Sequence, residues 1–132
     1  MRKRLLSLLF LSLYGSMLFA QEPLDINDVE RVPLGDFTYQ WRNIYDRTPL
    51  HGKCRIILSY RSYTIAHFNK DGILDGLYEK YEDNHLVQKL TYVKGILRGK
   101  GYEYYTDGTV KKECVWNEQG NRLQQKRYQR YI

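Results

Sequence analysis

The sequence predicts an all-β protein, an elongated antiparallel β-meander built from tandem β-hairpin repeats of about 24 residues. Three observations predict it. The chain repeats itself, since Phe68-Asn69-Lys70-Asp71-Gly72-Ile73-Leu74-Asp75-Gly76-Leu77-Tyr78-Glu79-Lys80-Tyr81 is echoed by Tyr92-Val93-Lys94-Gly95-Ile96-Leu97-Arg98-Gly99-Lys100-Gly101-Tyr102-Glu103-Tyr104-Tyr105. Within a unit the period is two: Leu86, Gln88, Leu90 and Tyr92 alternate with Val87, Lys89 and Thr91, the pattern of a strand. Turn-forming residues recur at one phase, as Asp83-Asn84 and as Asp107-Gly108, where a two-residue hairpin turn needs positive φ at both positions.

The first element expected is a leader. Arg2, Lys3 and Arg4 precede an apolar run from Leu5 to Phe19, and Ala20-Gln21-Glu22-Pro23 resembles a cleavage point, so residues 1–20 read as a signal peptide. Leu18 stands three positions before the cut, where a small residue is more usual, and this leaves an uncleaved anchor as the alternative. Export to a periplasm or to the outside of the cell follows from the leader. Its removal takes three basic residues from the formal +6, leaving +3, an ordinary solubility charge that gives no argument for nucleic acid.

Residues 21–36, with Pro23, Pro33 and Gly35, read as an extended lead-in. The repeat domain then occupies 37–132. Strands are expected near 37–45, 52–58, 62–68, 76–82, 86–92, 100–106 and 109–116, with a last one through 122–131. Phe37, Tyr39 and Trp41 share a face by alternation, so a half unit at the start caps the sheet. Tyr45 to Lys53 has the length and ending of Tyr92 to Lys100 and reads as a degenerate unit. Tyr78 and Tyr102, like Tyr92 and Trp116, are separated by 24, whereas Gly72 and Gly95, like Gly76 and Gly99, are separated by 23, so one residue slips in around Lys100-Gly101. The glycines fall in the loops that hand one hairpin to the next, where left-handed backbone is needed.

At these residues the chain resembles the MORN repeat family, and more closely its bacterial variant. The family pattern of a Gly, a second Gly, an aromatic strand and an Asn-Gly or Asp-Gly turn is matched by Gly72 and Gly76, Gly95 and Gly99, Tyr78 and Tyr81, Tyr102 to Tyr105, and Asp107-Gly108. His51-Gly52-Lys53 matches the second-Gly element of the degenerate unit. The resemblance covers roughly 45–128 and implies a binding or scaffolding role, since family members have been associated with membranes, phospholipids and protein partners. Some bacterial relatives carry antitoxin-like labels, a role with which an exported leader conflicts.

Catalysis needs titratable groups that converge. His51, His67 and His85 fall at three different repeat phases, and neither Cys lies near a His in register, so no catalytic residue, metal ligand or cofactor is expected. Asp71, Asp75, Asp83 and Asp107 sit in turns and are expected to satisfy local backbone, with calcium as the minor alternative. Cys54 and Cys114 fall on strands five positions apart, about 24 Å at ~4.8 Å per strand, while a disulfide needs Cα atoms within about 7 Å. Two separate buried thiols are expected unless a curled sheet or a dimer joins them.

Tyrosine is the better functional candidate, because it offers apolar area with a polar tip. Tyr78, Tyr102 and Tyr104 share one alternation phase, and Tyr81 and Tyr105 the other. The leading expectation is a non-enzymatic protein that presents one aromatic sheet face to a protein partner. The alternative is peripheral binding to anionic lipid through Lys111, Lys112, Lys126, Arg127 and Arg130, although basic charge on an edge strand also simply discourages pairing with another chain. A cell-envelope enzyme or an antitoxin-like protein comes third.

Overall fold

The computed structural model describes residues 22–129. The leader expected over 1–20 and the side chain of Arg130 lie outside them. The strands are β1 (Leu24–Asp25), β2 (Val29–Gly35), β3 (Thr38–Asn43), β4 (Gly52–Ser59), β5 (Ser62–Phe68), β6 (Leu74–Glu82), β7 (His85–Val93), β8 (Ile96–Leu97), β9 (Gly99–Tyr104), β10 (Val110–Trp116) and β11 (Arg122–Arg127), with a 3-10 turn at Ile26–Asp28. Nine of them make one sheet in the order β1-β4-β5-β6-β7-β9-β10-β11, with β8 paired to β7. From β4 onward it is an antiparallel meander of consecutive hairpins, as the period-two pattern predicts.

The lead-in is a correction. Residues 24–35 form β1, the 3-10 turn and β2. Leu24 and Asp25 run parallel to β4 opposite Ile56 and Ile57. Val29–Gly35 pairs with β3 in a separate two-stranded sheet, Arg31 opposite Trp41 and Pro33 opposite Tyr39. Pro33 suggests a loop because it cannot donate, but a two-stranded ribbon leaves one side of each strand without a ladder and accommodates it. The expected cap is likewise replaced, because the β2–β3 hairpin lies against a face of the large sheet and does not extend its edge. Phe37 belongs to the turn: Asp36 and Phe37 have φ of 51° and 65°, and the Phe37 ring is 96% exposed.

Turn chemistry also differs from expectation at one site. Asp83 and Asn84 both take positive φ, 48° and 62°, the predicted two-residue turn. At Asp107-Gly108 only Gly108 does, at 89°. Tyr105 N–H bonds the Thr109 carbonyl and Gly108 N–H bonds the Tyr105 carbonyl, a three-residue loop with glycine in the left-handed position. Asp107 Oδ1 is satisfied within it by the Thr109 N–H and hydroxyl. Asn69–Ile73 and Asn117–Asn121 repeat this loop, each with the Asn carboxamide accepting from backbone N–H groups and Gly72 or Gly120 at positive φ.

Cross-strand partners share a face, so the register fixes what the hairpin covers. Cys54 and Ile56 on β4, Thr64, Ala66 and Phe68 on β5, and Leu74 on β6 are all buried. Leu50 and the partly buried Leu24, Ile26, Val29 and Trp41 pack against them. Trp41 lies 5.6 Å from Phe68, ring to ring, and its backbone N–H donates to the Gly72 carbonyl at 2.7 Å. The core is therefore concentrated under the hairpin, while β11 at the far edge is exposed along its whole length.

Gly72 is required by the hairpin's backbone, because a Cβ there would sit 2.5 Å from the Trp41 carbonyl oxygen, and its φ is +77°. Gly35 has φ of +91° and open space around it. Gly35→Ala should cost about 1 kcal/mol, the left-handed penalty alone. Gly72→Ala should cost at least ~2 kcal/mol more, since the hairpin must lift. Urea unfolding followed by circular dichroism checks this, and equal losses for the two variants would contradict the docking.

Candidate functional site

The hairpin covers β4, β5 and part of β6 and leaves the rest of that face open. Between them lies a cleft of 690 Å³. Arg31, Phe37, Tyr39 and Trp41 form its hairpin wall. Tyr78, Gln88, Leu90 and Tyr92 form its floor, and Ile96, Leu97, Gln119 and Asn121 close the far side. Gln88, Leu90 and Leu97 also border a second hollow of 170 Å³ that continues over β9 and β10 to Trp116, Lys112 and Arg122. The two form one groove running across the strands.

Glycines shape this groove by absence of side chain. Gly95 admits Thr38 of the hairpin and Ile73, both within 3.1 Å of where its Cβ would stand. At Gly101 a Cβ would be 2.6 Å from the Trp116 ring and 2.7 Å from Leu90, so Trp116 lies over bare backbone and deepens the floor. Gly120 is likewise overlain by the Ile96 side chain.

Arg31 dominates the electrostatics of the wall. Its guanidinium lies 5.6 Å over Tyr39 and 5.4 Å over Trp41. Burial pushes the Tyr78 hydroxyl above its ordinary pKa, opposed by a hydrogen bond with Thr64 and by the nearby Arg31 charge. Tyr92 is raised by the same burial and by Tyr78, whose ring it meets edge-on at 6.0 Å.

The tyrosines that the sequence groups together are split. Tyr78 pairs with Leu90, and Gln88 with Glu103, so Glu103 and Gly101 share the inner face with Tyr78. Tyr102 and Tyr104 point the other way. The slip at Lys100-Gly101 reverses the alternation, and aligning Tyr78 with Tyr102 by the repeat carries the side chain to the wrong face. Tyr81 also belongs to the outer face, stacked on Tyr63 at 5.0 Å and bonded to Glu79 at 3.4 Å. Tyr102 and Tyr104 stack at 6.0 Å, and burial, Tyr102 and Glu79 together raise the Tyr104 hydroxyl. Arg55 closes this outer stripe, 4.1 Å over Tyr63. Tyr105 serves architecture, donating its hydroxyl to the Tyr128 carbonyl at 3.0 Å.

The basic set is divided too. Lys112 and Arg127 are cross-strand partners on one face, and Lys126 lies opposite Glu113 on the other. Lys112 is held by Glu103 at 3.2 Å, and Lys111 and Lys126 sit over the Tyr105 and Tyr128 rings. The histidines are dispersed: His67 Nδ1 donates to the Leu77 carbonyl at 3.0 Å, His51 precedes β4 and His85 opens β7. Among the described residues no group of three or more His, Cys, Asp or Glu could hold a metal ion. Arg31 and Tyr92 were the residues least visible in the sequence. Arg31 shares its alternation phase with Val29 and Pro33, a strand signal that the proline obscures.

No family model matches the chain, and no curated protein matches it. Among solved structures it is similar to TarM, with a TM-score of 0.40 and 13% identity over 90% of this chain and 21% of that one. A TarM point mutant from S. aureus in complex with fondaparinux, alpha-GlcNAc-glycerol and UDP gives 0.41 and 14% over 92% and 22%. The chain thus spans about a fifth of the solved chains it matches.

Two solution properties follow from the burial. Cys54 and Cys114 are buried thiols that form no disulfide among the described residues, and burial pushes the Cys54 thiol up, so both should resist Ellman's reagent until urea unfolds the protein and then titrate as two thiols. A thiol that reacts at the native rate of an exposed cysteine would contradict the packing. Tyr78 and Tyr92 have folded pKa values above the unfolded 10.0. Their contribution to stability is complete below pH 10 and is lost as pH rises through the folded values. Thermal unfolding between pH 9 and 12 should show that decline, and less of it in Tyr92→Phe.

Proposed function

We propose that the chain is an exported, non-enzymatic repeat protein of MORN-like construction that binds a protein partner in the groove on its inner face. The observation that carries this is the 690 Å³ cleft, walled by aromatic side chains that the fold leaves uncovered. Phe37 at 96% and Tyr39 at 42% exposure would gain most from a partner's cover. The described residues lining the groove include two carboxylates at opposite ends, Asp36 and Glu103, the latter paired with Lys112, and no His, which favours a contact surface over an acid–base pair. The outer stripe of Tyr63, Tyr81, Tyr102 and Tyr104 is satisfied by stacking within the sheet, and the hollows that border it, 540 Å³ at Arg55 and Tyr63 and 380 Å³ at Tyr104, are lined mainly by polar and charged side chains. Binding to anionic lipid would need the basic side chains on one surface, and their division between faces speaks for the protein partner instead.

The test compares faces. The mature protein from residue 21, Phe37→Ser with Tyr39→Ser, and Tyr102→Ser with Tyr104→Ser are each checked for folding and used to recover proteins from an envelope extract. The expected outcome is one discrete protein, recovered at least tenfold less by the cleft variant and equally by the outer-face variant. Loss with the outer-face variant alone would move the site to the stripe. Recovery of lipid alone, eluted by salt, would replace the protein partner with a membrane surface.

A further inference from the structure

From the unpaired cations at the two ends of the groove, we infer that its occupant is an extended acidic peptide segment, lying across the strands with aliphatic side chains on the floor and a carboxylate at Arg31. This rests on the reading of the groove as the binding site and names what it accepts.

Charge is the first ground. Lys112 is already neutralised by Glu103, and Arg42 by Glu30. Arg31 at the hairpin end makes no ion pair among the described residues, and Arg122 at the β11 end bonds the neutral Gln125 at 2.7 Å. A guanidinium laid over two aromatic rings is already oriented while its edge stays open to a ligand, which favours a carboxylate that presents two oxygens to its fork.

Shape is the second. Midway between these cations an aliphatic strip crosses the groove, with Leu90 on the floor and Ile96 and Leu97 beside it. Apart from Phe37 at the mouth, the aromatic faces that would stack on a sugar ring are in use. Arg31 lies over Tyr39 and Trp41, Tyr78 and Tyr92 meet edge to face, and Trp116 lies over Gly101. Such a surface suits a peptide's branched side chains better than a glycan.

Length is the third. From β6 beneath Arg31 to β11 is four strand spacings, about 19 Å at ~4.8 Å each, which an extended chain crosses in about six residues. The preferred segment therefore carries acidic residues at both ends of a hexapeptide with aliphatic residues between.

A random hexapeptide library displayed on phage, selected on the folded mature protein, tests this directly. Enrichment of Asp or Glu at the first and last positions, with aliphatic residues inside, is expected. A selected peptide should bind Arg31→Gln at least tenfold more weakly than the parent, with part of the affinity returned in Arg31→Lys. Its amide counterpart, Gln and Asn replacing the acids, should lose as much on the parent protein. Enrichment without acidic bias, equal binding by Arg31→Gln, or no enrichment over the Arg31→Gln Arg122→Gln double variant would overturn the inference. So would displacement of nothing but a bound oligogalacturonate in a parallel binding assay, which would assign the groove to acidic glycans. If these fail while the Phe37 and Tyr39 variants still lose the envelope protein, the groove remains the site and only the acidic peptide is wrong.

Discussion

Trp41 donates its backbone N–H to the Gly72 carbonyl, accepts from the Leu50 N–H at 3.0 Å and sets its ring against Phe68. Around that seat the β2–β3 hairpin converts a single layer into two. A lone meander buries little, because each face has water on it. With the hairpin in place, Ile56, Cys54 and Ala66 reach full burial, and a buried aliphatic side chain of that size is worth about 2 kcal/mol or more. The same docking creates the groove, since the hairpin is too narrow to reach β7 and β9. Core and candidate site are two consequences of one contact.

Much of the fold was legible because a half-buried strand writes its face into every second residue. Gly52–Ser59, Ser62–Phe68 and Val110–Trp116 fall within one residue or so of the expected strands. The β2–β3 hairpin was not legible, for two physical reasons. Pro33 and Gly35 signal irregular chain wherever neighbours are unknown, and the Asp36-Phe37 turn places an aromatic at positive φ, which ordinary turn chemistry does not anticipate. The pairing of Arg31 with Trp41 is a tertiary fact that period-two reasoning reaches only if 29–33 is accepted as strand.

The candidate site was legible in kind and wrong in membership. Tyrosine density pointed to the sheet faces, but membership depends on absolute phase, and phase does not survive an inserted residue. Gly76 and Gly99 are aligned by the repeat, and so are the residues opposite them, Tyr92 and Trp116. Tyr78, however, stands two residues after its glycine and Tyr102 three after its own, which reverses the face. Tyr78 therefore meets Leu90 on the groove floor, and Tyr102 meets Lys89 outside.

That displacement also explains why the inner face is a groove there and not a ladder of rings. Had the alternation continued unbroken, Tyr102 would stand on the floor beside Leu90 and fill the space. The slip puts Gly101 in that place, the smallest possible floor, and Trp116 from the next strand drops onto it. The aromatic ring is kept at the groove's far end while the middle is hollowed and lined by Leu90 and Leu97. Filling Gly101 with a side chain would have to displace both Trp116 and Leu90, which closes off the smooth return to a regular repeat. A repeat built for burial alone gains nothing from such a break, whereas one that must admit a ligand across its strands needs a low floor at this point.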